Sequence, residues 1–333
     1  LKPAVLADVA VPRLEHSSYE VRIAALRSLR KQALLAQHVV ARLDDSEGSV
    51  RYWALDTLGN LEPATLAQHA SALVAMLEDS DWRVRRMALE TLGKLEPATL
   101  AQHAEAVVAR LEDSVDEVRG EALRTLGKLE PATLAQYTGA VAARLEDFND
   151  NVRFVALWTL DKLEPAALAQ YAGAVAARLE DSDEDVRNTA LRTLGKLNPA
   201  ALAQYAVTVV ARLEDPTWYV RKTALETLGK LNPAALAHHA YGLVARLEDA
   251  SVRYKALEML RKLPRYVTSG VDFTSSALRS RLLGRLAWYR CRLRLRVERL
   301  AWYWYALPYR PSGPGHARDV AAWDQMNKRS RLV

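Results

Sequence analysis

A chain of 333 residues would ordinarily make about two domains. Half of it is hydrophobic and only 7% aromatic, the bulk being Ala, Leu and Val, so the composition reads as all-α. The formal net charge of +6 hides an asymmetry: residues 265–333 hold fourteen Lys or Arg against four Asp or Glu, a net +10, which leaves −4 for residues 1–264. Cys291 is the one cysteine, which excludes a disulfide within the chain and favours a reducing, intracellular compartment, with plastid and mitochondrion both compatible. There is no uninterrupted apolar run of about 18 residues. The first residues, LKPAVLADVA, lack the form of a signal peptide, and a start at Leu1 without Met is compatible with a targeting segment removed beforehand.

Taken in order, the chain is a repeat of 34 residues. Prolines at 63, 97, 131, 165, 199 and 233 share one column, and Val-Arg pairs beginning at 50, 84, 118, 152, 186 and 220 share another. Such a period marks a solenoid, in which each unit packs mainly on its neighbours. The first unit departs from the pattern: Val21-Arg22 lies 29 residues before Arg51, His16 stands where the others have Asp, and no Pro precedes Leu34. In a typical unit Pro97 opens PATLAQHAEAVVARLE, where Leu100, Ala104, Val107, Val108 and Leu111 recur at helical spacing and Pro suits the first helical position. This run is expected to be one helix. The turn Asp113-Ser114-Val115-Asp116 offers caps to a second helix with an apolar stripe of Val118, Ala122, Leu123 and Leu126, and Gly127 is expected to close it in a left-handed conformation. The last unit is shortened, with Asp249 and Arg253 only four apart and Pro264 ending its helix. Eight units result, the outer two irregular, over residues 1–264.

A tetratricopeptide repeat has the same period but calls for Trp and Leu-Gly where this unit has His103, Ala106 and Val107. The unit instead resembles a HEAT repeat: a Pro-led first helix, an Asp in the turn, and a Val-Arg pair whose Arg follows that Asp by six. Asp45/Arg51, Asp79/Arg85, Asp113/Arg119, Asp147/Arg153, Asp181/Arg187 and Asp215/Arg221 keep that spacing, and the likeness covers about residues 4–263. The resemblance implies an all-α fold, a right-handed α-solenoid of about eight HEAT-type helical hairpins, with these Asp and Arg residues forming a hydrogen-bonded structural ladder along the turns. The array is also similar to the HEAT-like repeats of phycobilin lyases, which implies a chromophore-attachment factor as a rival function.

The units can be compared with one another. On the second helix the position after the Arg reads Ile23, Tyr52, Arg86, Gly120, Phe154, Asn188, Lys222 and Tyr254; four residues on it reads Arg27, Asp56, Glu90, Arg124, Trp158, Arg192, Glu226 and Glu258. Positions four apart share a helix face, and the resemblance implies that this variable face is the inner groove. Phe154 and Trp158, with Trp82 and Trp218 opening the same helix in two other units, are the candidate partner-binding residues, since exposed aromatics anchor interfaces; covering the hairpin turn is the alternative role. His69 and His103 share a column with Tyr137, Tyr171 and Tyr205, which suits structure rather than metal binding. No phosphate-binding loop, dinucleotide-binding glycine pattern, zincin motif or nucleophile elbow occurs. No cofactor, metal, catalytic residue or small-molecule substrate is expected.

After Pro264, Thr268-Ser269-Gly270 and Ser275-Ser276 read as a linker. From Ala277 to about Tyr305 a basic, aromatic, helical C-terminal extension is expected, its stripe of Leu278, Leu282, Leu286, Tyr289, Leu293, Val297, Leu300 and Trp304 flanked by Arg281, Arg285, Arg292, Arg296 and Arg299. With Trp302 and Trp304, and with Trp323 beyond the loop-forming PSGPG, these are the candidate tail anchors. Four roles fit: a cap on the last unit, docking on a partner protein, RNA binding through Arg and stacked aromatics, and adsorption to a membrane surface. The expected function is a non-enzymatic scaffold or accessory subunit within a larger assembly.

Overall fold

The computed structural model describes residues 8–30, 35–246 and 249–262, and every regular element among them is helical. The boundary at 264/265 and the tail anchors Arg281, Arg285, Arg292, Arg296, Arg299, Trp302, Trp304 and Trp323 lie outside the described residues. Each unit contributes one long helix: α1 (Tyr19–Ser28), α2 (Gly48–Leu58), α3 (Trp82–Leu92), α4 (Asp116–Leu126), α5 (Asp150–Leu160), α6 (Glu184–Leu194), α7 (Trp218–Leu228) and α8 (Arg253–Lys262). From α1 to α7 each long helix packs on the next. Each of α2 to α7 carries one alanine of a repeated column, and Ala54, Ala88, Ala122, Ala156, Ala190 and Ala224 are fully buried. A side chain that small lets helix axes come to about 8–10 Å.

The first half of the unit is not one helix. In the fourth unit it runs as Pro97–Ala101, Ala104–Ala109 and a 3-10 turn at Arg110–Glu112. The break falls at His103 (φ −115°, ψ 7°), outside the helical region. Its N–H bonds Leu100 O at 3.0 Å, one residue short of the α pattern. Leu100, Ala104, Val107 and, in the 3-10 turn, Leu111 are 0–1% exposed, as are Val118, Ala122, Leu123 and Leu126 of α4, whereas Val108 of the expected stripe is half-buried. Apolar periodicity survives the break, because burial selects positions on a face without requiring an unbroken helix. The break also accounts for the His/Tyr column: His69, His103, Tyr137, Tyr171 and Tyr205 each precede the second piece with φ between −106° and −115°.

The units are joined at their turns. Arg119 spans the seam, donating from Nε and Nη2 to Asp147 Oδ2 and Oδ1, each at 2.8 Å, and from Nη1 to the carbonyl of Asp113 in its own turn at 2.9 Å. Asp147 in turn accepts from the backbone N–H of Asn149 at 3.0 Å. Arg51–Asp79, Arg85–Asp113, Arg153–Asp181, Arg187–Asp215 and Arg221–Asp249 repeat the pairing. The carboxylate partner is therefore the Asp 28 residues ahead, while the Asp six residues behind supplies only its backbone carbonyl. His16 fits the first rung for that reason: Arg22 needs its carbonyl, at 2.8 Å, and not its side chain.

Gly127 is not left-handed. It lies at φ −66°, ψ −2°, and Asp161 occupies the same position at φ −62°. Space, not backbone freedom, favours glycine here. A Cβ on Gly127 would come within 3.0 Å of Trp158 Cζ3, and one on Gly93 within 2.6 Å of Lys128 Nζ. Where Asp161 replaces the glycine, Lys196 of the next unit pairs with its carboxylate at 3.2 Å.

Breaking an inner rung strands a buried charge. Arg119→Ala is expected to lower stability in urea denaturation by about 3 kcal/mol, whereas the exposed Arg83→Ala should cost less than about 0.5 kcal/mol. Gly93→Ala should leave stability unchanged or raise it by up to about 1 kcal/mol, because its φ is right-handed and only a flexible lysine tip must move; a loss of that size in the melting curve would contradict the right-handed geometry.

Candidate interaction surface

The ladder occupies the turn edge and the core occupies the seam, leaving one stripe of each long helix half-buried or exposed, except at the buried Gly120. Residues four apart define it. In units three and seven the stripe reads Trp82, Arg86, Glu90, Lys94 and Trp218, Lys222, Glu226, Lys230, each with an internal ion pair, Arg86–Glu90 at 3.7 Å and Lys222–Glu226 at 3.9 Å. The three units between them differ. Across α4, α5 and α6 the first position is Asp116, Asp150 and Glu184, the second Gly120, Phe154 and Asn188, and the third Arg124, Trp158 and Arg192. Beyond the helix ends come Lys128, Lys162 and Lys196.

Phe154 and Trp158 stand one turn apart and both are half-buried. Trp158 lies against Gly127 of the preceding unit and carries Lys162 Nζ 4.4 Å from its ring centroid. Trp82 is half-buried with Arg83 at 5.9 Å, and Trp218 is 54% exposed, edge-on to Tyr219 at 5.9 Å. α3 and α7 each lie two units from α5, roughly 16–20 Å at the packing distance of helices. The structure thus brings Phe154 and Trp158 together and leaves Trp82 and Trp218 as separate sites. Two features went unread in the sequence. Phe148 replaces the Ser found at this turn position in most units; it is 83% exposed and sits 4.7 Å from the Arg119 guanidinium. Trp53 holds Arg27 at 3.9 Å over its ring. Comparing the turn column Ser46, Ser80, Ser114, Phe148, Ser182 would have exposed the first.

The electrostatics of the turn edge are those of a closed network. Burial pushes the carboxyls of Asp79, Asp113, Asp147, Asp181 and Asp215 up, but the arginine hydrogen bonds, the turn N–H and the arginine charges outweigh it and hold each below the ordinary carboxylate range. Their partners Arg51, Arg85, Arg119, Arg153 and Arg187 are pushed up, chiefly by the hydrogen bond to Asp. Tyr219 is pushed up to about 12 by burial and by the hydrogen bond it donates to Asp185 Oδ1 at 3.1 Å. Two shallow hollows lie on this edge, around Asp79–Arg110–Asp113 and around Asp147–Arg178–Asp181; within the first Arg85 pairs with Asp113 and Arg110 with Glu78, and within the second Arg153 and Arg178 pair with Asp181. Among the described residues no group of three or more His, Cys, Asp or Glu could hold a metal ion, and no helix is long and apolar enough to cross a membrane.

Stacked helical units, each long helix from α1 to α7 packed on the next, define the class as an α-solenoid. The chain belongs to the HEAT-repeat family, whose model matches residues 36–127 and 172–261. No curated protein matches it in sequence. Among solved structures, an engineered protein is similar at a TM-score of 0.57 and 18% identity, over 85% of this chain and 86% of that one. YibA of Escherichia coli is similar at 0.55 and 19%, over 77% and 92%. A designed armadillo repeat protein in complex with the peptide (KR)4 is similar at 0.51 and 18%, over 60% and 99%. At these identities the likeness is one of fold.

The ladder predicts acid sensitivity. Unfolded Asp titrates near 3.9 and the folded groups lie lower, so their stabilisation is complete above the unfolded value and is lost as pH falls through the folded values. The melting temperature by circular dichroism should be level from pH 7 to about 5 and fall below about pH 4; a decline beginning near pH 6 would assign the effect to other groups.

Proposed function

We propose that this protein is a non-enzymatic interaction scaffold, an accessory subunit whose long-helix face receives a partner protein within a larger assembly. One observation supports the reading: the buried frame recurs unit after unit, while the stripe outside it varies between units and carries two aromatic residues one turn apart, Phe154 and Trp158, on α5 alone. Structure alone would let a repeat copy its exposed positions too; recognition of an irregular partner requires that they differ. The armadillo neighbour, a repeat of related architecture, holds a peptide. The tail of residues 265–333, rich in Arg and Trp in sequence, would tether the array to the same assembly, or to RNA or a membrane surface within it.

Affinity purification from the native source, comparing the full chain with a Phe154→Ala/Trp158→Ala variant of matched melting temperature, tests the proposal. Stoichiometric partners of the unaltered chain should fall by tenfold or more in the variant. A chain that purifies alone, or associations unchanged by the double substitution, would overturn it.

A further inference from the structure

The units are not tied equally at every seam. At the end of the short-helix half, one arginine per unit donates to a leucine carbonyl of the unit before. Arg42 reaches Leu14, Arg110 Leu77, Arg144 Leu111, Arg178 Leu145, Arg212 Leu179 and Arg246 Leu213, all at 2.9–3.1 Å. Four of these arginines add an ion pair across the same seam, Arg42–Glu15, Arg110–Glu78, Arg144–Glu112 and Arg246–Glu214. Unit three has Met76 in this column. A thioether donates no hydrogen bond, so no arginine meets the Leu43 carbonyl. Asp44, at the position of Glu78, has no ion pair among the described residues.

Other ties are thin at the same seam. Thr91 reaches the Leu55 carbonyl at 3.4 Å, against 3.0–3.2 Å for Thr57, Thr125, Thr159 and Thr227 on theirs. On the long-helix stripe Asp56 pairs backward with Arg30 of unit one and Glu90 pairs with Arg86 of its own helix, so neither carboxylate bridges units two and three. The fork of Arg51 on Asp79, at 2.6 and 2.7 Å, is the strong polar tie that remains. The seam before it is the reverse. Between units one and two, Arg22 holds Asp45 at 2.9 Å, Arg42 holds both Leu14 O and Glu15, Arg30 pairs with Asp56, and Arg27 lies 3.9 Å over Trp53. The seam between units five and six also lacks one bond, Thr193 being buried without a partner, but it keeps Arg178 and adds Lys196 on the Asp161 carboxylate.

The stability of a solenoid is approximately a sum over units and nearest-neighbour interfaces, so partial opening selects the weakest interface. We propose that the seam between units two and three is a hinge built into the array, at which units one and two open together as one body, with the Arg51–Asp79 fork as the last tie. A hydrogen bond from a charged donor changes an opening equilibrium about tenfold or more, which is the size of the defect that Met76 introduces. Simple fraying from the chain end has a different order: it releases unit one before unit two, across the seam that carries the additional ties.

Native-state hydrogen exchange of the full chain, followed by mass spectrometry in urea below the unfolding transition, separates the two. Amides of α1 and α2 should share one opening equilibrium and exchange at least tenfold faster than those of α4 and α5. Met76→Arg restores the residue that six other units carry at this position; it should slow exchange in α1 and α2 about tenfold and leave α4 and α5 unchanged. Arg110→Met places the same defect one seam further on, and should raise exchange in α3 towards that of α2. Exchange of α1 well ahead of α2 would assign the opening to fraying and overturn the hinge. So would an α2 as protected as α4, or a Met76→Arg variant in which exchange of α2 is unchanged or faster.

Discussion

Everything in the array depends on an arginine that belongs to two units at once. Arg119 has three of its donors committed, two to Asp147 ahead and one to the Asp113 carbonyl behind, with its side chain 4% exposed and that of Asp147 3% exposed. A buried ion pair of this kind adds little net stability, since desolvating two charges offsets much of their attraction. Its effect is on geometry. A bidentate fork accepts one orientation, and loss of either partner leaves a charge without water or ligand. The rung therefore admits one register between units, and six repetitions carry that register along the array.

Further columns answer the carbonyls that short helices leave unpaired at their ends. Arg110, Arg144, Arg178, Arg212 and Arg246 donate to the carbonyls of Leu77, Leu111, Leu145, Leu179 and Leu213, each 33 residues back. Thr125, Thr159 and Thr227 reach Leu89, Leu123 and Leu191 across the long-helix seam. Lys230 donates to Gly195 O at 2.8 Å, over the end of α6. These backbone carbonyls are thus met within the frame by residues of fixed spacing, although the Nε of each of these arginines is buried without a partner. Positions outside the frame carry no such obligation, and this is where Phe154, Trp158, Arg124 and Arg192 differ from their counterparts.

The frame also pairs the charges of the turn edge across the seams. Each ladder aspartate and arginine that burial perturbs is engaged by its partner, while burial also pushes Tyr219 up and His239 down outside the ladder. Outside that network the long helices carry Phe154, Trp158 and separated Arg and Lys side chains at exposed or half-buried positions.

Much of this was legible in the sequence, for a physical reason. A unit of 34 residues repeated along the chain shows its own constraints: what burial and the ladder require stays the same, and Pro97, Val118, Ala122 and Leu123 could be placed on helices and in the core from periodicity alone. What only the tertiary structure decided lies between units. Spacing put Asp79 and Arg85 near each other, but the carboxylate that Arg85 holds is Asp113, because the guanidinium reaches forward over the seam. The expected left-handed glycine is right-handed, with Lys128 or Trp158 of the next unit lying against it. The expected continuous first helix breaks at His103, where the core still buries both pieces. One strand of sequence records which residues each unit must keep; how a side chain crosses to its neighbour is set only when the units stack.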